Sequence, residues 1–397
     1  MGSHLTTDRR ARLLSVLRVQ YPDALADHGF QLLDPVSGEP YSNGRRHLVA
    51  TCRSISNFAL GALVDGPEWC LDAVDHGLQF LRAGHRRADG GYDLVVDAAG
   101  EPVDRTRSAY GHAFVLLAYA RAAAAGVDGA EADLERTHHL IEERFRDTAG
   151  MLRSDCGPDW TELEAYRGQN ANMHACEAYL AAYEATEGAR YLERARQLAE
   201  TIAVDLATET DGPLWEHYTP NWEHDFTYNE DDPRHQFRPP GYQPGHHVEW
   251  AKFLGLLDRY GAGEGDGLYT RAHELFDAAV ELGWTDDGFL YTVDRNGDPI
   301  VSDRYGWALA EAIGAAAVLA ERADAHGDGD AADRFRRWEA RLIDHTDAFR
   351  GPAGLWYERR SASEGGGPVV PEPPGVEPDY HPAGAYFESW RSLRKGA

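Results

Sequence analysis

Gly288-Phe289-Leu290-Tyr291 sets a glycine before a run of bulky residues, and the pattern recurs along the chain. Gly91-Tyr92, Gly150-Met151-Leu152, Gly212-Pro213-Leu214-Trp215 and Gly354-Leu355-Trp356-Tyr357 repeat it, with successive separations of 59, 62, 76 and 66 residues. Each copy follows one helical pattern and leads through a polar loop into the next. A period near 60 holding two helices is too long for a tetratricopeptide-type solenoid. Six two-helix units predict a closed ring instead, with odd helices outside and even helices lining an inner barrel.

Working outward from these turns, apolar residues at three- and four-residue spacing predict twelve helices. They lie near 8–27, 45–64, 68–84, 106–125, 129–146, 170–186, 189–206, 246–260, 266–282, 304–322, 330–348 and 382–393. Ala118–Ala125 and Ala308–Ala317 are alanine-rich, which lets helices pack closely. Strand-like alternation is confined to short stretches such as Tyr92–Val96 and Phe289–Val293. The expected fold is therefore all-α: an (α/α)6 barrel with short β-hairpins in its loops. No interdomain linker interrupts 1–397, so one domain is expected. Residues 1–6 open with Met1-Gly2-Ser3-His4 and are set aside as a tag remnant or disordered end.

Composition narrows the function. Sixty-six acids against 39 bases give a formal charge of -27 over 397 residues. That balance opposes phosphate-mediated binding of nucleic acid. No apolar run approaches the roughly 18 residues of a membrane span. Only Lys252 and Lys395 are lysines. Few lysines with a large acid excess suggest a salt-rich cytosol. A GC-rich genome would explain the missing lysines but not the charge. Cys52, Cys70, Cys156 and Cys176 form no C-x-x-C pair and read as buried thiols of a cytoplasmic protein.

Polar residues recur in the same register. Arg53, Tyr110-Gly111-His112, Asn172-Met173-His174, Gly245-His246-His247, Tyr305-Gly306-Trp307 and Tyr380-His381 fall at or near the starts of the inner helices. From Arg53 through His112, His174, His246, Trp307 and His381 the steps are 59, 62, 72, 61 and 74. Equivalent ends of inner helices meet at one mouth, so these groups should converge on one pocket. Loops 207–243 and 350–380 should cover it. His246 and Glu249 share a helical face, as do His174 and Glu177. A carboxylate beside an imidazole raises its basicity and selects its tautomer. Capped helix starts and satisfied core histidines use the same residues, so both readings stand at this stage. A buried Arg53 needs an acid or a substrate oxygen as partner. The sequence lacks a Walker loop, G-x-G-x-x-G, G-x-S-x-G and H-E-x-x-H. The mixture of His, Asn, Arg and Trp shows no obvious metal cage, and no cofactor is expected.

Asn170-Ala171-Asn172-Met173-His174, Pro244-Gly245-His246 with Glu249-Trp250, Tyr110-Gly111-His112-Ala113-Phe114, and Trp307 with Glu311 resemble the N-acylglucosamine 2-epimerase superfamily. The resemblance covers about 45–393. Phe237-Arg238-Pro239 ahead of Pro244-Gly245-His246 is most similar to its aldose–ketose isomerase branch, typified by mannose isomerase. The resemblance implies metal-free interconversion of an aldohexose such as mannose with its 2-ketose. It implies proton-carrying His246 and His381, with sugar contacts from Arg53, Tyr110, Asn172, His174, Glu249 and Trp307. His112 and Glu311 join the substrate-binding candidates from their motifs. Gln236 stands where sulfosugar-isomerising members tend to carry Arg, which speaks against a sulfonate substrate.

On this reading the chemistry runs through a cis-enediolate whose oxyanion is met by Arg53, helped by His174. An ionised Glu249 is expected to orient His246. The rivals are a sugar 2-epimerase, an (α/α)6 glycoside hydrolase, which needs two facing carboxyls, and a non-catalytic sugar-binding protein. The partner is a small sugar. A homo-oligomer is compatible with the sequence, which leaves oligomeric state open.

Overall fold

A computed structural model describes residues 2–41, 43–261, 267–363, 367–370 and 375–395. Twelve α-helices run in order: α1 Gly2–Gln20, α2 Leu48–Leu63, α3 Trp69–Phe80, α4 Ala109–Ala124, α5 Ala130–Arg144 and α6 Gln169–Thr186. Then come α7 Ala189–Ala199, α8 Pro244–Arg259, α9 Leu268–Gly283, α10 Gly306–His326, α11 Gly329–Asp344 and α12 Tyr380–Lys395. The even helices form a ring in which α12 returns to α2. Each odd helix packs outside an inner one, and α1 packs on α12, tying the two ends of the chain together. The expected (α/α)6 barrel is the observed fold.

The first helix departs most from its expected bounds. It begins at Gly2, so residues set aside as a remnant form its first turn, while Met1 lies outside the described residues. It stops at Gln20 because Pro22 follows, and proline removes a donor and restricts the residue before it. Parts of the expected cover 350–380, namely 364–366 and 371–374, also lie outside the described residues.

Burial explains the division of helices. Inner α8 is buried from Pro244 through Asp258, while outer α11 buries only Ala332, Phe335, Glu339, Leu342 and Ile343. The outer helices are therefore amphipathic and the inner ones are covered nearly all round. The hairpins are short except at one mouth. There an antiparallel sheet runs in the order 368–369, 359–360, Pro299–Tyr305, Gly288–Val293, 284–285.

The recurring glycine turns have a common fastening. Gly90, Gly150, Gly212 and Gly354 have φ between 85° and 117°, where a side chain is strained. In the first copy the positive φ belongs to Gly90 rather than Gly91. Two residues on, a backbone N–H donates to a side chain at the next inner-helix start. Tyr92 N donates to His112 Nε2 (3.2 Å), Leu152 N to Asn172 Oδ1 (2.7 Å), and Leu214 N to His247 Nε2 (2.9 Å). Trp356 N donates likewise to Asp379 Oδ1 (3.1 Å). His112 and His247 each donate Nδ1–H to the carbonyl four residues back, at 2.7 and 2.8 Å. Burial lowers both imidazoles to about 4, so they stay neutral and keep Nε2 as acceptor.

The far end of the barrel is closed by ions. Glu184 takes Arg121 (2.6 Å) and Arg391 (2.7 Å), Arg391 reaches Glu388 (2.6 Å), and Arg259 pairs with Glu321. The opposite mouth holds a cavity.

Candidate active site

Two tiers of side chains face the mouth, set by helix periodicity. The second residues of α4, α6, α10 and α12 are Tyr110, Asn170, Trp307 and His381. The sixth residues of α2, α6, α8 and α10 are Arg53, His174, Glu249 and Glu311. Positions four apart lie one above the other on one helix face. All but Glu311 line the cavity, with His246, Gln236, Phe237 and Gln243. Tyr291, Tyr305, Trp356 and Glu377 complete the wall, so the hairpin sheet and both expected loops cover the mouth.

This geometry corrects three expected substrate contacts: Glu311 lies outside the cavity lining, engaged by His381 and Lys252, and His112 and Asn172 are turned away from it. His112 and Asn172 occupy the fourth positions of α4 and α6 and are turned to the glycine turns. Asn172 also donates Nδ2–H to Leu152 O and Gly168 O, at 3.2 and 2.9 Å. Both side chains are buried outside the cavity lining. A two-residue offset rotates a helical side chain by about 200°, which sends it to another neighbour. Asn170 is the asparagine at the cavity, and it donates Nδ2–H to Phe237 O (3.2 Å).

The two expected histidines come together, each backed by a carboxylate. His381 Nδ1 lies 2.7 Å from Glu311 Oε1, so an Nδ1–H donates to it. Its Nε2 is 3.5 Å from Arg53 Nη2 and 3.3 Å from Glu377 Oε2. His246 Nδ1 lies 2.8 Å from Glu216 Oε2, not on Glu249. Gln169 Nε2 sits 2.7 Å from the same Glu216 oxygen and 2.7 Å from His246 Nδ1. Trp250 Nε1 donates to Gln169 Oε1 (2.7 Å) and thereby fixes the amide. Trp307 contacts both histidines, with ring centroids 5.2 Å from His246 and 5.8 Å from His381. Gly245 makes room for it, since a Cβ there would meet Trp307 Cη2 at 2.4 Å.

Glu249 has a different state from the expected one. It is 1 % exposed, and neither oxygen has a hydrogen-bond partner among the described residues. Burial, with Glu311 and Glu177 nearby, pushes its carboxyl well above the usual range, against the pull of Lys252 and Arg53. These surroundings favour its protonated form, and it is Glu216, not Glu249, that meets His246. Glu216 is also buried, but His246 and Gln169 outweigh the cost and hold it below the usual carboxylate range. The sequence-level signal for Glu216 was its place just after the turn Gly212–Trp215. What hid it was its location in a loop rather than on an inner helix.

Arg53 is 4 % exposed and bridges the site. Nη1 donates to Glu377 Oε2 (2.9 Å) and Val376 O (3.1 Å), and Nη2 to Tyr110 Oη (3.0 Å). Its guanidinium lies over the rings of Phe114 and Tyr380, 4.6 and 4.9 Å from their centroids. His174 Nδ1 meets Glu177 Oε2 at 3.0 Å, as the three-residue spacing suggested. Burial lowers the His174 imidazole to about 4 despite Glu177, so it is neutral.

Carboxylates cluster here more densely than the sequence suggested. His174, Glu177 and Glu249 bring donor atoms within 4.8 Å of one another, as do Glu249, Glu311 and His381. Their oxygens are largely engaged: Glu177 by His174 and Tyr380, Glu311 by His381 and Lys252. Lys252 supplies the cluster's positive charge from within. Among the described residues, no helix is long and apolar enough to cross a membrane.

At the open mouth of the barrel, His246 and His381 thus each stand on a buried carboxylate. The chain belongs to the N-acylglucosamine 2-epimerase (GlcNAc 2-epimerase) family, whose model matches residues 29–385. It is 36% identical over 364 residues to a D-mannose isomerase of Marinomonas mediterranea, covering 90% of this chain and 89% of that protein. A crystal structure of D-mannose isomerase superposes with a TM-score of 0.87 at 33% identity, covering 97% of both chains. The cellobiose 2-epimerase of Spirochaeta thermophila shares the fold, with a TM-score of 0.81 at 19% identity over 99% of this chain and 97% of that one.

Proposed function

We propose that the protein is a metal-independent aldose–ketose isomerase that interconverts D-mannose and D-fructose through a cis-enediolate. The observation that carries this reading is the pair His246–Glu216 and His381–Glu311, both in contact with Trp307 and close to Arg53. The high identity to D-mannose isomerases along nearly the whole chain supports mannose as the substrate. Gln236 in the cavity wall offers no charge for a sulfonate or phosphate.

Isomerisation begins with ring opening. His246, its Nδ1 engaged by Glu216, gives an Nε2 proton to the ring oxygen as the C1–O5 bond breaks, and the freed Nε2 takes the proton of the anomeric hydroxyl as the C1 carbonyl forms. His381 Nε2 then takes the proton from C2. The electron pair forms the C1–C2 double bond, and the aldehyde oxygen becomes an oxyanion. Arg53 faces that charge with a planar fork already held by Tyr110 and Glu377. The proton on O2 moves to O1, and His381 returns its proton to C1, which yields the ketose. Returning it to the opposite face of C2 would yield the epimer instead.

The test is the initial product ratio from mannose in D2O, followed by NMR after exhaustive chelation. Fructose should dominate early, with deuterium at C1. Early glucose in excess of fructose would make the protein a 2-epimerase. Activity abolished by chelation and restored by a divalent ion would overturn the metal-independent mechanism.

A further inference from the structure

Lys252 has no part in the reaction as derived above, yet it lies one turn beneath the site. It is one of only two lysines in the chain and is 6 % exposed. It follows Glu249 by three residues on α8, so both share the inner face. Its ammonium donates to Glu311 Oε2, the oxygen that His381 does not use. The lysine stem runs beside Gly314 of α10, where a Cβ would sit in ordinary contact, 3.4 Å from Lys252 Cδ. Glu311 thus sits between an ammonium and an imidazole.

The charges around this pair are few. Lys252 faces Glu311 from α10, Glu249 from its own helix and Glu177 from α6. Arg121 of α4 and Glu388 of α12 line the small space below it. His381 faces Glu311 from α10, Arg53 from α2, and Glu377 ahead of α12, with Tyr380 beside it. From α1, Arg9 goes to Glu339 and Ser389, and Gln20 donates to Pro378 O. On the outer helices behind α8, Arg194 pairs with Glu142 and Arg271 with Glu274.

A buried carboxylate needs a positive partner. If Lys252 were neutral, the other group in contact with Glu311 able to supply that charge would be His381. The imidazole would then be held as imidazolium and could not accept a carbon-bound proton. We propose that Lys252 is a positioning residue: its ammonium neutralises Glu311, so that Glu311 orients the neutral Nδ1–H tautomer of His381 without trapping its proton. This rests on His381 being the proton carrier of the proposed isomerase.

Lys252→Met keeps the stem and removes the charge. The acid limb of its kcat/KM–pH profile should move up by at least about one pH unit, a loss of about tenfold at acid-side pH that alkali restores. Lys252→Arg keeps the charge and should leave the limb in place. The His381 ring titration is read separately by NMR without substrate, assigned by its loss in His381→Asn. Its midpoint should rise in Lys252→Met, and this holds whichever sugar is turned over. If Lys252→Met fails to fold, Lys252→Gln carries the same titration. A limb and a midpoint that stay put or fall, with kcat reduced equally at every pH, would reduce Lys252 to a structural residue and overturn the proposal.

Discussion

Glu216 and Glu249 are buried in the same mouth and their carboxyls are shifted in opposite directions, because one has donors and the other has none among the described residues. Substitution by glutamine should separate them. Glu216→Gln removes the charge that orients His246 and should lower kcat by about 10–100-fold, less than the ~10²–10⁴-fold that a general acid or base itself contributes. Glu249→Gln puts an amide of the same shape where the surroundings favour the protonated carboxyl, and should retain kcat within about threefold. The same contrast appears in stability. Glu249 has a native pKa above its ordinary 4.5, so above that pH the native state binds more protons than the unfolded chain. Unfolding free energy then falls as pH rises, by about 1.4 kcal/mol per unit, until the native pKa is passed. Glu249→Gln lacks this loss. Urea titrations from pH 4 to 8 should show the variant gaining on the parent as pH increases. A constant difference would mean that Glu249 is ionised throughout.

At the scale of elements, the fastening of four glycine turns, those before Tyr92, Leu152, Leu214 and Trp356, to the next inner helix joins consecutive units. Asn172 holds both Leu152 N–H and Leu152 C=O, and so ties the turn after α5 to the start of α6. Asn172→Ala would leave two buried backbone groups of one residue without partners. Chemical denaturation should show a loss of about 2 kcal/mol or more, while KM for the sugar changes less than about twofold. A large rise in KM with unchanged stability would restore Asn172 to the sugar-contacting set. The register of polar residues was visible in the sequence because the repeat is long and regular. Which of them faced the mouth was not, since neighbouring positions on one helix turn point to different partners.

For the whole molecule, a charge of -27 dominates behaviour at low ionic strength. Many basic groups are already paired, including the arginines that close the far end of the barrel. The excess acids repel one another across the surface, and salt screens that repulsion over about 8–10 Å at physiological strength. Melting temperature should therefore rise from low salt into molar KCl. A flat or falling curve would assign the scarcity of lysine to codon usage rather than to salt.

Sequence alone determined the twelve helices, their ring order and the pairing of His174 with Glu177, because periodicity and three-residue spacing are local properties of a helix. It also brought His246, His381, Arg53 and Trp307 to one mouth, since the repeat length sets where each inner helix begins. Only tertiary structure decided that Glu216 rather than Glu249 backs His246, that burial raises the Glu249 carboxyl, and that His112 and Asn172 fasten turns. Those outcomes depend on burial and on partners from outside the helix, since Glu216 stands 30 residues before His246, and Tyr92 and Leu152 stand 20 before His112 and Asn172. Protonation and hydrogen bonding answer to such neighbours in space, which spacing along one helix does not encode.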